Sequence, residues 1–221
     1  MMNMRFLKVL FAAPLVLTLM AGCAQQPSAE DQAAIEDGLV PKASGLDSVS
    51  AAFAFDLSGA KVYMEPLSID YNKRFARASS PFREADYRLD EKDRAKLQAL
   101  IGETLGERFL APRNSELVTD RSEADYVMQL DLRRFSIAAP LEPSAGVWRV
   151  YADQSAWGVL SGELLDSQGN PVMRFSDRRE MGDNFGSLGP NRFDRFNRVT
   201  FWADMRTDLR RAFRSLDKTL Q

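Results

Sequence analysis

Trp157-Gly-Val-Leu-Ser-Gly-Glu-Leu-Leu165, Asp166-Ser-Gln-Gly-Asn170 and Pro171-Val-Met-Arg-Phe-Ser176 follow one another as strand, turn and strand. Asp, Ser, Gly and Asn supply the local hydrogen bonds and the positive φ that a tight reversal needs. Two strands joined this closely pair antiparallel. Upstream, Tyr126, Met128, Leu130 and Leu132 alternate with Val127, Gln129, Asp131 and Arg133. That period of two predicts a strand with one buried face and one largely polar face. A further strand is expected over 61–69, after the turn residues Asp56 to Gly59. Pro66 ends it, bulges it or places it at an edge.

Between these strands lies a helical pattern over 91–110. Asp90 suits the N-cap, Glu91 and Asp93 suit the positive end of the dipole, and Ala111-Pro112 stops the helix. Leu97, Leu100, Ile101, Leu105 and Phe109 fall on one arc. Gly102 and Gly106, four apart, fit tight packing on a sheet better than a helix–helix contact. A second long helix is expected over 198–220, with Trp202, Met205, Leu209, Phe213 and Leu216 as its apolar stripe. The stretches 70–89, 137–151 and 180–197 read as irregular connections. Strand, helix, strand, hairpin and helix in one short domain predict an α+β fold: a small mixed or antiparallel sheet with two main helices packed on it.

The N-terminal end reads differently. Arg5 and Lys8 precede an apolar run from Val9 to Leu19 that is too short to span a bilayer, which takes roughly 20 apolar residues. Leu19-Met20-Ala21-Gly22-Cys23 resembles the lipobox of bacterial lipoproteins. The resemblance implies cleavage before Cys23, lipidation of that cysteine, palmitate included, and a lipid anchor. Ala24 stands where an Asp resembles the inner-membrane retention signal, which implies the outer membrane. The expected organisation is a signal peptide over 1–22, a lipidated N-terminus and flexible tether over 23–50, and one α+β domain over 51–221.

Composition narrows the chemistry. The chain has 221 residues, one cysteine, no histidine and a formal net charge of −2. Removing Arg5 and Lys8 with the signal makes the balance more acidic, which argues against nucleic acid as a partner. Without histidine there is no Ser-His-Asp or Cys-His machinery. No metal and no cofactor are expected. A carboxylate pair of the glycosidase kind is the one plausible catalytic route, and no spacing identifies such a pair.

Arg206, Arg210, Arg214 and Lys218 repeat every four residues beside the apolar stripe of the last helix. They are candidate partner-binding residues, and equally a solvated flank in which Asp208 reaches Arg211 and Asp217 reaches Arg214. Trp148 and Phe185 are candidate partner-binding aromatics in the long connections, where Tyr151, Phe193 and Phe196 raise the same question of core or surface. Asp177 in Asp177-Arg-Arg179 is expected to pair with an arginine and fix the exit from the sheet. The glycine-rich stretch 182–189 lacks the Gly-Lys-Ser/Thr end of a phosphate loop and the Asp spacing of a calcium loop.

Taken with the lipobox, Ala124-Asp-Tyr-Val127, Leu165-Asp-Ser-Gln-Gly-Asn-Pro-Val172, Asp177-Arg-Arg179, Trp202-Ala-Asp204 and Leu209-Arg210 resemble a family of bacterial envelope lipoproteins of unknown function. The resemblance implies a mixed sheet and brings no catalytic residues. The expected function is a non-catalytic accessory or binding module in an envelope complex. It would be held by its lipid to the periplasmic face of the outer membrane, with an envelope protein as partner. The alternatives are a binder of a small molecule, lipid or glycan, and a carboxylate-dependent hydrolase.

Overall fold

Asp90 does cap the first long helix: its carboxylate accepts from the Asp93 backbone N–H at 2.7 Å. The computed structural model describes residues 29–72, 83–141, 150–152, 154–182 and 194–221. In chain order its elements are α1 (Ala29–Glu36), β1 (Val40–Pro41), β2 (Ser48–Ala51), β3 (Lys61–Met64), β4 (Ser68–Tyr71), α2 (Glu91–Leu105), β5 (Glu116–Val118), β6 (Tyr126–Ile137), β7 (Val150–Ala152), β8 (Ala156–Leu165), β9 (Pro171–Met181), β10 (Asp194–Phe196) and α3 (Arg198–Thr219). The fold is α+β, as the sequence predicts. After Leu105 the helix widens into a π turn to Leu110 and tightens through Ala111–Arg113, where Pro112 stops it. Asn114 closes this end in the left-handed region at φ 56°, a conformation asparagine tolerates.

The main sheet runs β1-β2-β9-β8-β6-β3-β5, and β4 also pairs with β6. β3 and β4 lie parallel to successive stretches of β6, and β5 lies parallel to β3. β6, β8, β9 and β2 are antiparallel throughout. Pro66 separates β3 from β4. The helix α2 repairs the break: Leu67 N–H donates to Gln98 Oε1 at 2.5 Å, and Gln98 Nε2 donates to the Glu65 carbonyl at 3.2 Å. Backbone groups freed beside a proline thus find side-chain partners.

The helices α2 and α3 cover one face. Arg198–Asp93, Arg206–Glu103 and Arg210–Glu107 ascend both helices together, so the two run parallel. Beneath them lie Leu97, Ile101, Phe109, Met128, Phe135, Leu164, Phe201 and Phe213, all at most 1 % exposed. Gly102 faces the sheet at close range. A Cβ there would sit 3.1 Å from Met64 Cε and 3.7 Å from Leu117 Cδ1, in β3 and β5.

Three expectations need correction. The domain begins before residue 51: β2 pairs with β9, and Leu39, Leu46 and Val49 are buried. The segment 39–50 is too sparse in apolar residues to read as folded, yet each of its few large ones enters the core. Second, Asp177-Arg-Arg179 does not leave the sheet, because β9 continues to Met181 against β8. Third, Asp217 pairs with Arg113 rather than Arg214. Cys23, Ala24, Trp148, Phe185 and Phe193 lie outside the described residues.

Asp177 is 5 % exposed under α3 and bonded to the Arg179 guanidinium. Burial pushes its carboxyl above the ordinary 3.8, and Arg179 opposes the shift without cancelling it. The folded protein therefore binds this proton more readily than the unfolded chain. Stability falls as pH rises from 3.8 through the folded-state value. Asp177→Asn is expected to flatten that descending limb, measured by urea unfolding at a series of pH values. An unchanged limb would show that Asp177 does not cause it.

A groove on the uncovered face of the sheet

On the face opposite α2 and α3, part of which α1 overlies, the alternation of β6, β8, β9 and β2 aligns three rows of side chains. The register aligns Gln129, Glu163, Arg174 and Ser50 in the first row. Asp131, Ser161, Ser176 and Ser48 form the second. Arg133, Val159 and Arg178 form the third. The middle row is dominated by serine and the flanking rows carry long side chains. A shallow floor between taller walls follows from that difference in length. The result is a groove of two adjoining hollows that share Ser48, Ser176 and Arg133.

The first hollow, about 380 Å³, lies under α1. The Arg174 guanidinium in its lining is already engaged. Arg174 Nε donates to Glu163 Oε1 at 2.6 Å, and an Arg174 terminal nitrogen reaches Asp37 at 2.5 Å and the Ala33 carbonyl at 3.3 Å. Burial tends to lower the pKa of this arginine, and the bonds to Glu163 and Asp37 outweigh it, leaving it raised. Arg174 thus pins the C-terminal end of α1, where a cation also suits the helix dipole.

The second hollow, about 450 Å³, is lined by three arginines, Arg133, Arg134 and Arg178. Among the described residues one carboxylate, Asp47, stands beside them, and it accepts from the Arg178 backbone N–H at 2.8 Å. Arg134 occupies the left-handed region at φ 51°. It sits at a bulge where the register against β8 shifts between Arg133 and Ser136.

The residues singled out in the sequence lie elsewhere. Arg206 and Arg210 are on the helical layer, bonded to Glu103 and Glu107, the latter at 2.9 Å. The Arg206 bond holds Glu103 below the usual carboxylate range. Arg214 and Lys218 are exposed farther along α3. Phe196 is buried and packs edge-on against Phe201, whereas Tyr151 is exposed. A group of carboxylates lies under α3. Asp208 accepts from Gly182 N–H at 3.0 Å and pairs with Arg211 at 3.2 Å, and Asp204 is bonded to Ser155. Among the described residues no three acidic or cysteine side chains are grouped so as to hold a metal ion. No helix among them is long and apolar enough to cross a membrane.

Sequence reasoning misses the groove, although its outward residues are visible as the polar half of each strand. Gln129, Asp131 and Arg133 stand out as such, but which strand lies beside which depends on pairing between segments far apart in the chain.

No protein-family model matches the chain, and no curated protein does. Among solved structures, it is similar to the PelC dodecamer protein from Paraburkholderia phytofirmans. That match has 14 % identity over 76 % of this chain and 96 % of that one, with a TM-score of 0.39. It is also similar to a Xanthomonas campestris protein of the DUF330 family, with 13 % identity over 77 % and 89 % and a TM-score of 0.36. A third is a Helicobacter pylori protein described as a neuraminyllactose-binding hemagglutinin homolog, with 10 % identity over 76 % and 91 % and a TM-score of 0.41. These likenesses are too distant to carry activity, ligand or assembly to this chain.

Proposed function

We propose that this chain is a lipid-anchored lipoprotein on the periplasmic face of the outer membrane. In this reading it is a non-catalytic accessory module that binds through the uncovered sheet face in an envelope complex. The groove is the observation that supports the reading. It is built on long antiparallel strands, so its walls are fixed by main-chain pairing. Glu163, one of the carboxylates lining the groove, is engaged by Arg174. The volumes of the two hollows lie in the range of small-ligand sites, roughly 300–1,000 Å³. They favour, as second reading, a small molecule, lipid or glycan as the bound species.

Crosslinked capture of the full-length protein from whole cells tests the first reading. Envelope proteins recovered in a manner that depends on the groove support it, and recovery of the bait alone removes it. The anchor has its own test. Cys23→Ser is expected to move the protein out of the membrane fraction, because two or more acyl chains hold a protein stably where none holds it. Ala24→Asp is expected to move it to the inner membrane. Unchanged fractionation of both variants would sink the anchoring reading.

A further inference from the structure

The geometry points to the second hollow as a binding site for a phosphate monoester, carried on a lipid headgroup or on a soluble molecule, with Arg134 and Arg178 as its principal contacts. This rests on the proposal that the uncovered face is the binding surface.

The first argument is the bulge. In an unbroken strand, successive residues point to opposite faces. Arg133 lines the groove, so Arg134 would turn toward the helices. The register shift between Arg133 and Ser136 breaks the alternation. Two consecutive arginines thereby line the same hollow. Bulges re-aim side chains in this way beside binding sites.

The second argument is the backbone. A bulge residue with positive φ is ordinarily glycine, and among other residues Asn, Asp and His are the enriched ones. Arg134 holds φ 51° with a long charged side chain that has no conformational reason to be there. Charge at this position is what an arginine supplies and a glycine does not.

The third argument is chemical fit. Among the described residues the guanidiniums of Arg134 and Arg178 share the hollow with one carboxylate, Asp47, which is itself bonded to the Arg178 backbone. Two guanidiniums side by side suit the oxygens of a phosphate monoester, which carries about −1.5 to −2 near neutral pH. Guanidinium forks bind phosphate oxygens in pairs, and the hydroxyls of Ser48 and Ser176 offer further donors. Among the described residues Val159 is the one apolar residue in the lining, so the hollow suits a headgroup and leaves an acyl chain outside.

The test uses the full-length chain in neutral detergent. Calorimetric titration is made with two probes, phenyl phosphate and dihexanoyl phosphatidic acid. Arg134→Gly and Arg178→Gln are the variants. Arg134→Gly is informative because glycine accepts the left-handed conformation: its melting temperature should equal or exceed the wild type. Its affinity for the probes should fall at least tenfold. Arg178→Gln should show a similar loss at unchanged melting temperature. Binding of both probes with these losses supports the shared chemistry. Binding of the lipid alone assigns the headgroup as the source, and binding of phenyl phosphate alone assigns a soluble ester. Absence of binding by either probe, or equal binding by wild type and variants, overturns the inference. If crosslinked partners are still captured in that case, the binding-module reading stands and only the phosphate assignment falls.

Discussion

Arg113→Ala is expected to lower the unfolding free energy by about 3–5 kcal/mol, the usual cost of removing one member of a buried ion pair. Arg113 lies just beyond α2, and both it and Asp217 of α3 have side chains about one-tenth exposed. The guanidinium bonds the Asp217 carboxylate, donates to the Asp217 carbonyl at 3.2 Å and donates to the Phe109 carbonyl at 2.8 Å. It also lies 4.4 Å from the centroid of the Phe109 ring. One side chain therefore closes the end of the first helix and fastens it to the second. Its removal leaves Asp217 buried with Gln221 Nε2, 2.9 Å away, as its remaining side-chain donor. Urea unfolding of wild type and Arg113→Ala measures the loss. Adding Asp217→Asn to the variant should restore part of it, because the neutral amide needs no counter-charge. A loss under about 1 kcal/mol would place the pair with exposed ion pairs, whose contributions are of that size.

Elements marked by local chemistry are legible in the sequence alone. Asp90 and Asn197 cap α2 and α3 where the sequence starts those helices. Asp166 accepts from the backbone N–H groups of Gln168 and Asn170, each at 2.8 Å, closing the predicted hairpin. The buried half of β6 follows from its alternation. What stays hidden depends on partners distant in sequence. β2 has four residues, and its strand character comes from β9, more than a hundred positions later. β5 has three residues and survives because β3 lies parallel to it. The basic stripe of α3 is visible, but that α2 offers Glu103 and Glu107 in step with Arg206 and Arg210 follows from the parallel packing. The groove belongs to the same class. Its serine floor is a property of four aligned strands, and no single strand reveals it.

The floor of the groove has an underside, where the largest packing loss is expected. Phe213→Ala should cost about 3–5 kcal/mol. Phe213 is fully buried on α3 and meets Phe175 of β9 edge to face, with ring centroids 6.3 Å apart. Phe175 in turn lies over Gly162, its register partner on β8. A Cβ at 162 would fall 2.3 Å from Phe175 Cε1 and 2.7 Å from Leu130 Cδ2, so the glycine makes the room that the ring fills. Truncating Phe213 removes a ring from the top of this stack. Phe175 cannot follow it upward without uncovering Gly162, so a cavity remains instead of collapsing. Glu163 and Arg174, the immediate neighbours of Gly162 and Phe175, point to the opposite face and wall the first hollow. Support for the groove therefore reaches through the sheet from α3. The check is urea unfolding of Phe213→Ala beside Phe213→Leu, which retains most of the volume and should lose less than half as much. Equal losses from the two variants would mean that filling this space is not what Phe213 contributes.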